Sequence, residues 1–139
     1  MASACRECNC RWYLFGAQAV IIWGRPRLTT DVDVTVFLGT IGTDTLVAAL
    51  RRSAFRLQEE VSDEFVRVTR VLPLRHEPTG LSLDIVIGGP GLEERFLERA
   101  VLVDLDGVQT PVISPEDLIV TKVLAGRAKD LEDVRGVLA

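Results

Sequence analysis

The sequence predicts an α+β domain in which a mixed β-sheet is flanked by helices. Short runs rich in β-branched residues recur along the chain, most clearly at 32–38 and 81–87. Amphipathic stretches with helical spacing alternate with them, and no repeat, linker or low-complexity tract divides the chain. With 139 residues, 47% of them hydrophobic, the chain fits one compact domain, expected over 12–139 behind a frayed segment at 1–11.

Residues 12–15 read as a short buried strand, and Gly16 allows a tight turn into a helix over 17–23 that Gly24-Arg25-Pro26-Arg27 breaks. A strand at 32–38 is followed by a loop and by an amphipathic helix at 43–53, with Leu46, Val47 and Leu50 on one face. An acidic connection at 59–64 leads to strands at 66–74 and 81–87, a hairpin around Pro78-Thr79-Gly80. Gly88-Gly89-Pro90-Gly91 opens a helix that reaches Ala100, and strands at 101–103 and 108–113 flank an Asp106-Gly107 turn. Ser114-Pro115-Glu116-Asp117 starts the next helix with an N-cap serine, a first-position proline and acids in the first turn. A last helix over 129–138 spaces Leu131, Val134 and Leu138 for one apolar face.

Composition narrows the function. A formal net charge of -4 and a pI near 5.0 disfavour broad contact with a phosphate backbone. The longest apolar run, 17–23, falls far short of the ~20 residues that cross a bilayer. Neither a transmembrane helix nor a signal peptide is read, so a cytoplasmic protein is expected. Cys5, Cys8 and Cys10 form a C-x-x-C-x-C run without a fourth ligand nearby, and reduced thiols are expected there. His76 is the single histidine and has no nucleophile signature beside it, which argues against a serine or cysteine triad.

Asp31 and Asp33 are the most informative pair. Side chains alternate along a strand, so both carboxylates point the same way, and their repulsion calls for a divalent cation. Asp84 lies within an apolar strand, where a carboxylate is costly unless a cation or hydrogen bonds meet it. If that strand lies beside the Asp31 strand, three carboxylates gather, an arrangement suited to two metal ions, with Asp84 an alternative base. A solvated strand edge is the other reading of Asp84.

The small residues Gly16 and Ala17 would let amides at a helix start approach a triphosphate, although a glycine there is also an ordinary turn. Lys122, Arg127, Lys129, Asp130 and Asp133 crowd into twelve residues. Lys122 and Arg127 could neutralise phosphate, and Asp130 could orient one of them or activate an acceptor; a solvated helix face with local ion pairs is the plainer alternative. Arg25 and Arg27 flank Pro26 on the approach to Asp31, and either could reach a nucleotide or acceptor.

Taken in order, Gly16-Ala17, the run from Gly24 to Asp33, Leu83-Asp84-Ile85-Val86, Ser114-Pro115-Glu116-Asp117 and the run from Lys122 to Asp130 resemble the nucleotidyltransferase superfamily shared with DNA polymerase beta. The likeness is nearest to small AbiEii-like nucleotidyltransferases, some of them toxins of toxin-antitoxin systems. It implies a nucleotidyltransferase-like fold and transfer of an NMP from an NTP to an acceptor hydroxyl. It further implies that Gly16 and Ala17 hold the triphosphate, that Asp31 and Asp33 bind Mg2+ or Mn2+, and that Asp84 is the third carboxylate. Lys122, Arg127 and Asp130 match the later motif, with Arg27 a further candidate nucleotide contact. One departure is Ala17, where the superfamily usually carries glycine or serine.

Asp31-Val32-Asp33-Val34-Thr35 also resembles the D-x-D-x-T start of haloacid-dehalogenase-like phosphatases, but there the acids end an apolar strand, whereas here they begin one. A nucleotide- or protein-binding module without turnover is the non-enzymatic alternative. The partners expected are an NTP and an acceptor among RNA, protein and small molecules, with a second copy of the chain or a cognate protein as further candidates. No membrane partner is expected.

Overall fold

The computed structural model describes residues 1–25 and 28–139. Along the chain these form α1 (Ala2–Glu7), β1 (Arg11–Phe15), α2 (Gly16–Trp23), β2 (Asp31–Phe37), α3 (Thr43–Arg52), β3 (Phe55–Leu57) and α4 (Asp63–Thr69). There follow β4 (Val71–His76), β5 (Ser82–Ile87), α5 (Leu92–Glu98), β6 (Val101–Leu105), β7 (Val108–Val112), α6 (Pro115–Ala125) and α7 (Ala128–Leu138). The strands make one mixed sheet in the order β3-β4-β5-β2-β1-β7-β6, so the fold is the α+β class expected.

β2 sits mid-sheet, antiparallel to β1 and parallel to β5. Strand alternation then sorts the side chains. Val34 and Val36 of β2, Leu83 and Ile85 of β5, and Leu72 and Leu74 of β4 are buried on one side, in a core shared with Leu46 and Leu50 of α3. Asp33 and Thr35 point to the other side, where Tyr13 meets Phe96 of α5 with ring centroids 6.5 Å apart. The β4–β5 and β6–β7 hairpins form as expected, the latter turning at Asp106-Gly107 with positive φ at both residues.

Three expectations are corrected. Residues 1–11 do not fray but carry α1, because Ala4 and Cys5 are small enough to be fully buried and Glu7 pairs with Arg52 of α3. Burial pushes the Cys5 thiol up to about 12, and all three cysteines are free. The segment expected as one strand over 66–74 divides into α4 and β4. Ser62 accepts a hydrogen bond from the Phe65 N–H at 3.0 Å, Asp63 and Glu64 fill the first turn, and Arg70 stops the helix in a left-handed conformation at φ 58°. This capping prevails over the β-branched Val66 and Val68.

The third correction concerns α7. Its Leu131 and Leu138 are 45% and 70% exposed, and the buried residues are Asp130, Asp133 and Gly136. The acids turn inward because Lys122 of α6 is itself buried and needs them. β3, a strand of three residues, carries no sequence signal of its own.

Candidate active site

The site grows from the corner between β1 and α2. Phe15 is extended and Gly16 follows at φ +66°, a conformation that glycine adopts without penalty. A Cβ on Gly16 would collide with the Asp33 carboxylate and lie within 3.0 Å of Asp33 Cβ. Phe15 faces Asp33 in the β1–β2 register, so this acid is laid over the glycine by strand pairing.

Asp31 opens β2 and is exposed. Its N–H donates to Thr29 Oγ1 at 3.2 Å, and its carbonyl accepts from Gln18 Nε2 of α2 at 3.3 Å. On the neighbouring strand, Asp33 pairs with Asp84 in the parallel β2–β5 ladder, and both are half-buried. Burial, then the charges of Asp84 and Asp31, push the Asp33 carboxyl up to about 6, against the opposing pull of Lys122 and Lys129. Asp84 is also raised, by burial first and then by Asp31. The three carboxylates therefore share one face and sense one another.

Lys122 comes from the buried side of α6, whose start is capped by Ser114 accepting from the Asp117 N–H at 3.1 Å. Its ammonium lies 3.4 Å from Asp130 and 3.0 Å from Asp133. Asp130 is fully buried and also accepts from Arg127 Nε at 2.6 Å, Arg127 Nη2 at 3.1 Å and the Arg127 backbone N–H at 3.2 Å. The guanidinium bonds first, then the Arg127 backbone N–H and Lys122, outweigh burial and hold the Asp130 carboxyl at about 2. Asp130 thus fixes both cations at the α6–α7 junction.

These pieces border one cleft of about 290 Å³. Gly16, Ala17, Asp31, Asp33, Lys122, Arg127 and Asp130 line it, joined by Thr29, Thr121 and Lys129. Asp84 adjoins Asp33 on the sheet but is outside that lining. Arg27 lies outside the described residues, while Arg25 packs its stem near Gly136 of α7. Thr29 had no sequence signal beyond preceding the acids. Lys129 and Asp133 were visible in the charged cluster but were assigned no role.

The donor set is hard oxygen, as Mg2+ or Mn2+ prefers, and a cation would relieve the crowding that raises Asp33. Among the described residues, no three carboxylate, imidazole or thiol groups are gathered closely enough to hold a metal ion as they stand. No described helix is long and apolar enough to cross a membrane.

The model of a family described as nucleotidyltransferase of unknown function (DUF6036) matches residues 6–138. No curated protein matches the sequence. Among solved structures, the chain resembles the antibiotic-resistance factor ANT(2'')-Ia at 17% identity and a TM-score of 0.64, covering 98% of this chain and 77% of that one. It resembles the lincosamide antibiotic adenylyltransferase LnuA at 15% identity and a TM-score of 0.63, covering 99% and 92% respectively. An antigenic nucleotidyltransferase-like protein from Paracoccidioides brasiliensis matches at 20% identity and a TM-score of 0.61, over 99% of this chain and 70% of that one. At these identities the likeness is one of fold.

Proposed function

The chain belongs to the DUF6036 nucleotidyltransferases, and we propose on that premise that it moves a nucleoside monophosphate from an NTP to an acceptor hydroxyl. The observation that carries this reading is the ladder pair Asp33 and Asp84, with Asp31 on the same face and Gly16 clearing space beside them. Asp31 and Asp33, with Asp84 as the third carboxylate, would hold Mg2+ or Mn2+. When bound, the metal neutralises phosphate charge and lowers the pKa of the attacking hydroxyl.

The chain's own groups do the rest. Backbone amides at Gly16 and Ala17 face the triphosphate, and Arg127, Lys129 and Lys122 offset its charge. The acceptor oxygen bonds to the α-phosphorus as the bond to the β-phosphate oxygen breaks and pyrophosphate leaves. Asp84, beside Asp33 on the sheet, takes the acceptor proton. Ala17 retains a backbone donor but lacks the hydroxyl that a serine would add.

A small-molecule hydroxyl is the acceptor class favoured here. A net charge of -4 works against a long polyanionic acceptor. Two of the structural neighbours are an antibiotic-resistance factor and an antibiotic adenylyltransferase. RNA or protein acceptors, and the toxin-antitoxin role that an AbiEii-like identity would bring, are the competing assignments. A second reading, nucleotide binding without turnover, is favoured by Ala17, which cannot make a serine's hydroxyl contact to the triphosphate.

The test is label transfer from each α-labelled NTP, with Mg2+ or Mn2+, to separate pools of RNA, protein and small polyols. Wild type is compared with Asp31→Asn plus Asp33→Asn. Label in the small-molecule pool, lost in the variant, supports the proposal. Label in RNA or protein reassigns the acceptor, and metal-dependent NTP binding without transfer supports the second reading.

A further inference from the structure

A hollow of about 630 Å³, more than twice the 290 Å³ of the aspartate cleft, opens between α3 and α4. It lies across the sheet from the acids. Leu72 and Ile87 line it; Leu72 pairs with Ile85, and both Ile85 and Ile87 are odd-numbered steps from Asp84 along β5, hence on the opposite face. Val47 of α3, Leu57 of β3 and Val66 of α4 complete an apolar lining. This hollow is roofed by α4, which buries none of its residues fully and packs Val66 against the core.

The polar lining is not neutral. Arg51, Arg67 and Arg70 face the hollow with Asp44 and Asp63. Both acids occupy first turns, of α3 and α4, where free helix amides compensate a carboxylate. The guanidinium groups are less well met. Arg51 makes no ion pair among the described residues, and Arg67 is 3.8 Å from Glu64, beyond hydrogen-bonding range. Arg70 donates to the neutral Gly88 carbonyl at 2.9 Å.

We propose that this hollow is a second ligand site, distinct from the aspartate cleft, for a free amphipathic organic anion. An alkyl or aryl body would lie on Val47, Leu57 and Leu72, and a carboxylate or similar head would take the open donors of Arg51 and Arg67. Its volume falls within the range typical of small-molecule sites. The assignment does not depend on the transfer reaction.

The probe is decanoate, titrated below its micelle threshold into the isotope-labelled full chain and followed through backbone amide shifts. Saturable shifts clustered at α3, α4 and Leu57 are expected, with binding weakened roughly tenfold or more by Arg51→Ala plus Arg67→Ala. Val66→Trp, which fills the hollow from α4, is expected to abolish the shifts while the remaining spectrum reports an intact fold. Arg135→Ala on α7 leaves binding unchanged. Absence of saturable shifts overturns the proposal. So does equal binding of decyltrimethylammonium, or binding indifferent to the paired arginine substitutions.

Discussion

Asp33 and Asp84 stand side by side in the parallel ladder between β2 and β5, and the Asp84 charge adds to burial in raising the Asp33 carboxyl. The metal-free chain therefore carries repulsion beside the buried Val34, Leu83 and Ile85 of the same strands. Asp33 is raised from 3.8 to about 6, so the folded state binds more protons than the unfolded state between those values. Stability is accordingly lost as pH rises through that window.

Thermal unfolding checks this directly. The metal-free protein should gain stability on acidification from about pH 7 to about pH 5, by roughly 1–2 kcal/mol after allowance for the partial exposure of Asp33. Asp33→Asn should remove that gain. An unchanged pH profile in the variant would assign the dependence to another group.

Gly16→Ala should destabilise through two separable causes. The left-handed backbone costs about 1–2 kcal/mol for any L side chain, and the new Cβ meets the Asp33 carboxylate. Denaturant titration of Gly16→Ala in wild-type and Asp33→Ala backgrounds separates them. The penalty should shrink, but not vanish, when the carboxylate is absent.

Lys122→Met removes the ammonium that Asp130 and Asp133 share. Losing one partner of a buried ion cluster should cost about 3–5 kcal/mol at neutral pH. Adding Asp133→Asn should recover part of the loss, as read from urea midpoints. Full additivity of the two substitutions would show that Lys122 and Asp133 are not energetically coupled.

Asp130 has the opposite pH signature. Its carboxyl is held at about 2 against an ordinary 3.8, so its contribution is complete above the ordinary value and is lost as pH falls from there toward 2. Asp130→Asn should therefore destabilise at neutral pH, by about 1–3 kcal/mol, and match wild type in strong acid. Carbon-13 titration of the carboxyl gives the value itself.

Much of this architecture was legible locally. Gly16 at a strand end, the β-branched run after Asp31, and the Ser114-Pro115 helix start are signals that neighbouring residues suffice to fix. α4 was misread because Val66 and Val68 carry strand preference, while its outcome was decided by the Ser62 cap and by Arg70 at the other end. The inward face of α7 was illegible for a different reason. Leu131, Val134 and Leu138 are spaced identically whether covered or exposed, and the deciding partner, Lys122, belongs to another helix. At the cleft, Asp130 contacts both Lys122 and Arg127, one of which it was expected to orient, but the nearness of Lys129 to the aspartates needed three dimensions to see.

The sheet order also sets which strand pairings are local and which are not. The β4–β5 and β6–β7 hairpins join neighbouring segments and close short loops, whereas the β2–β5 ladder pairs residues about fifty positions apart, as Asp33 with Asp84. Such non-local pairing carries a larger loop-closure cost than the hairpins do. Asp33 and Asp84 consequently become neighbours only as Val34, Leu83 and Ile85 are withdrawn from water behind them. The like charges are thus held together by the hydrophobic gain that the same ladder secures on the far side of the sheet.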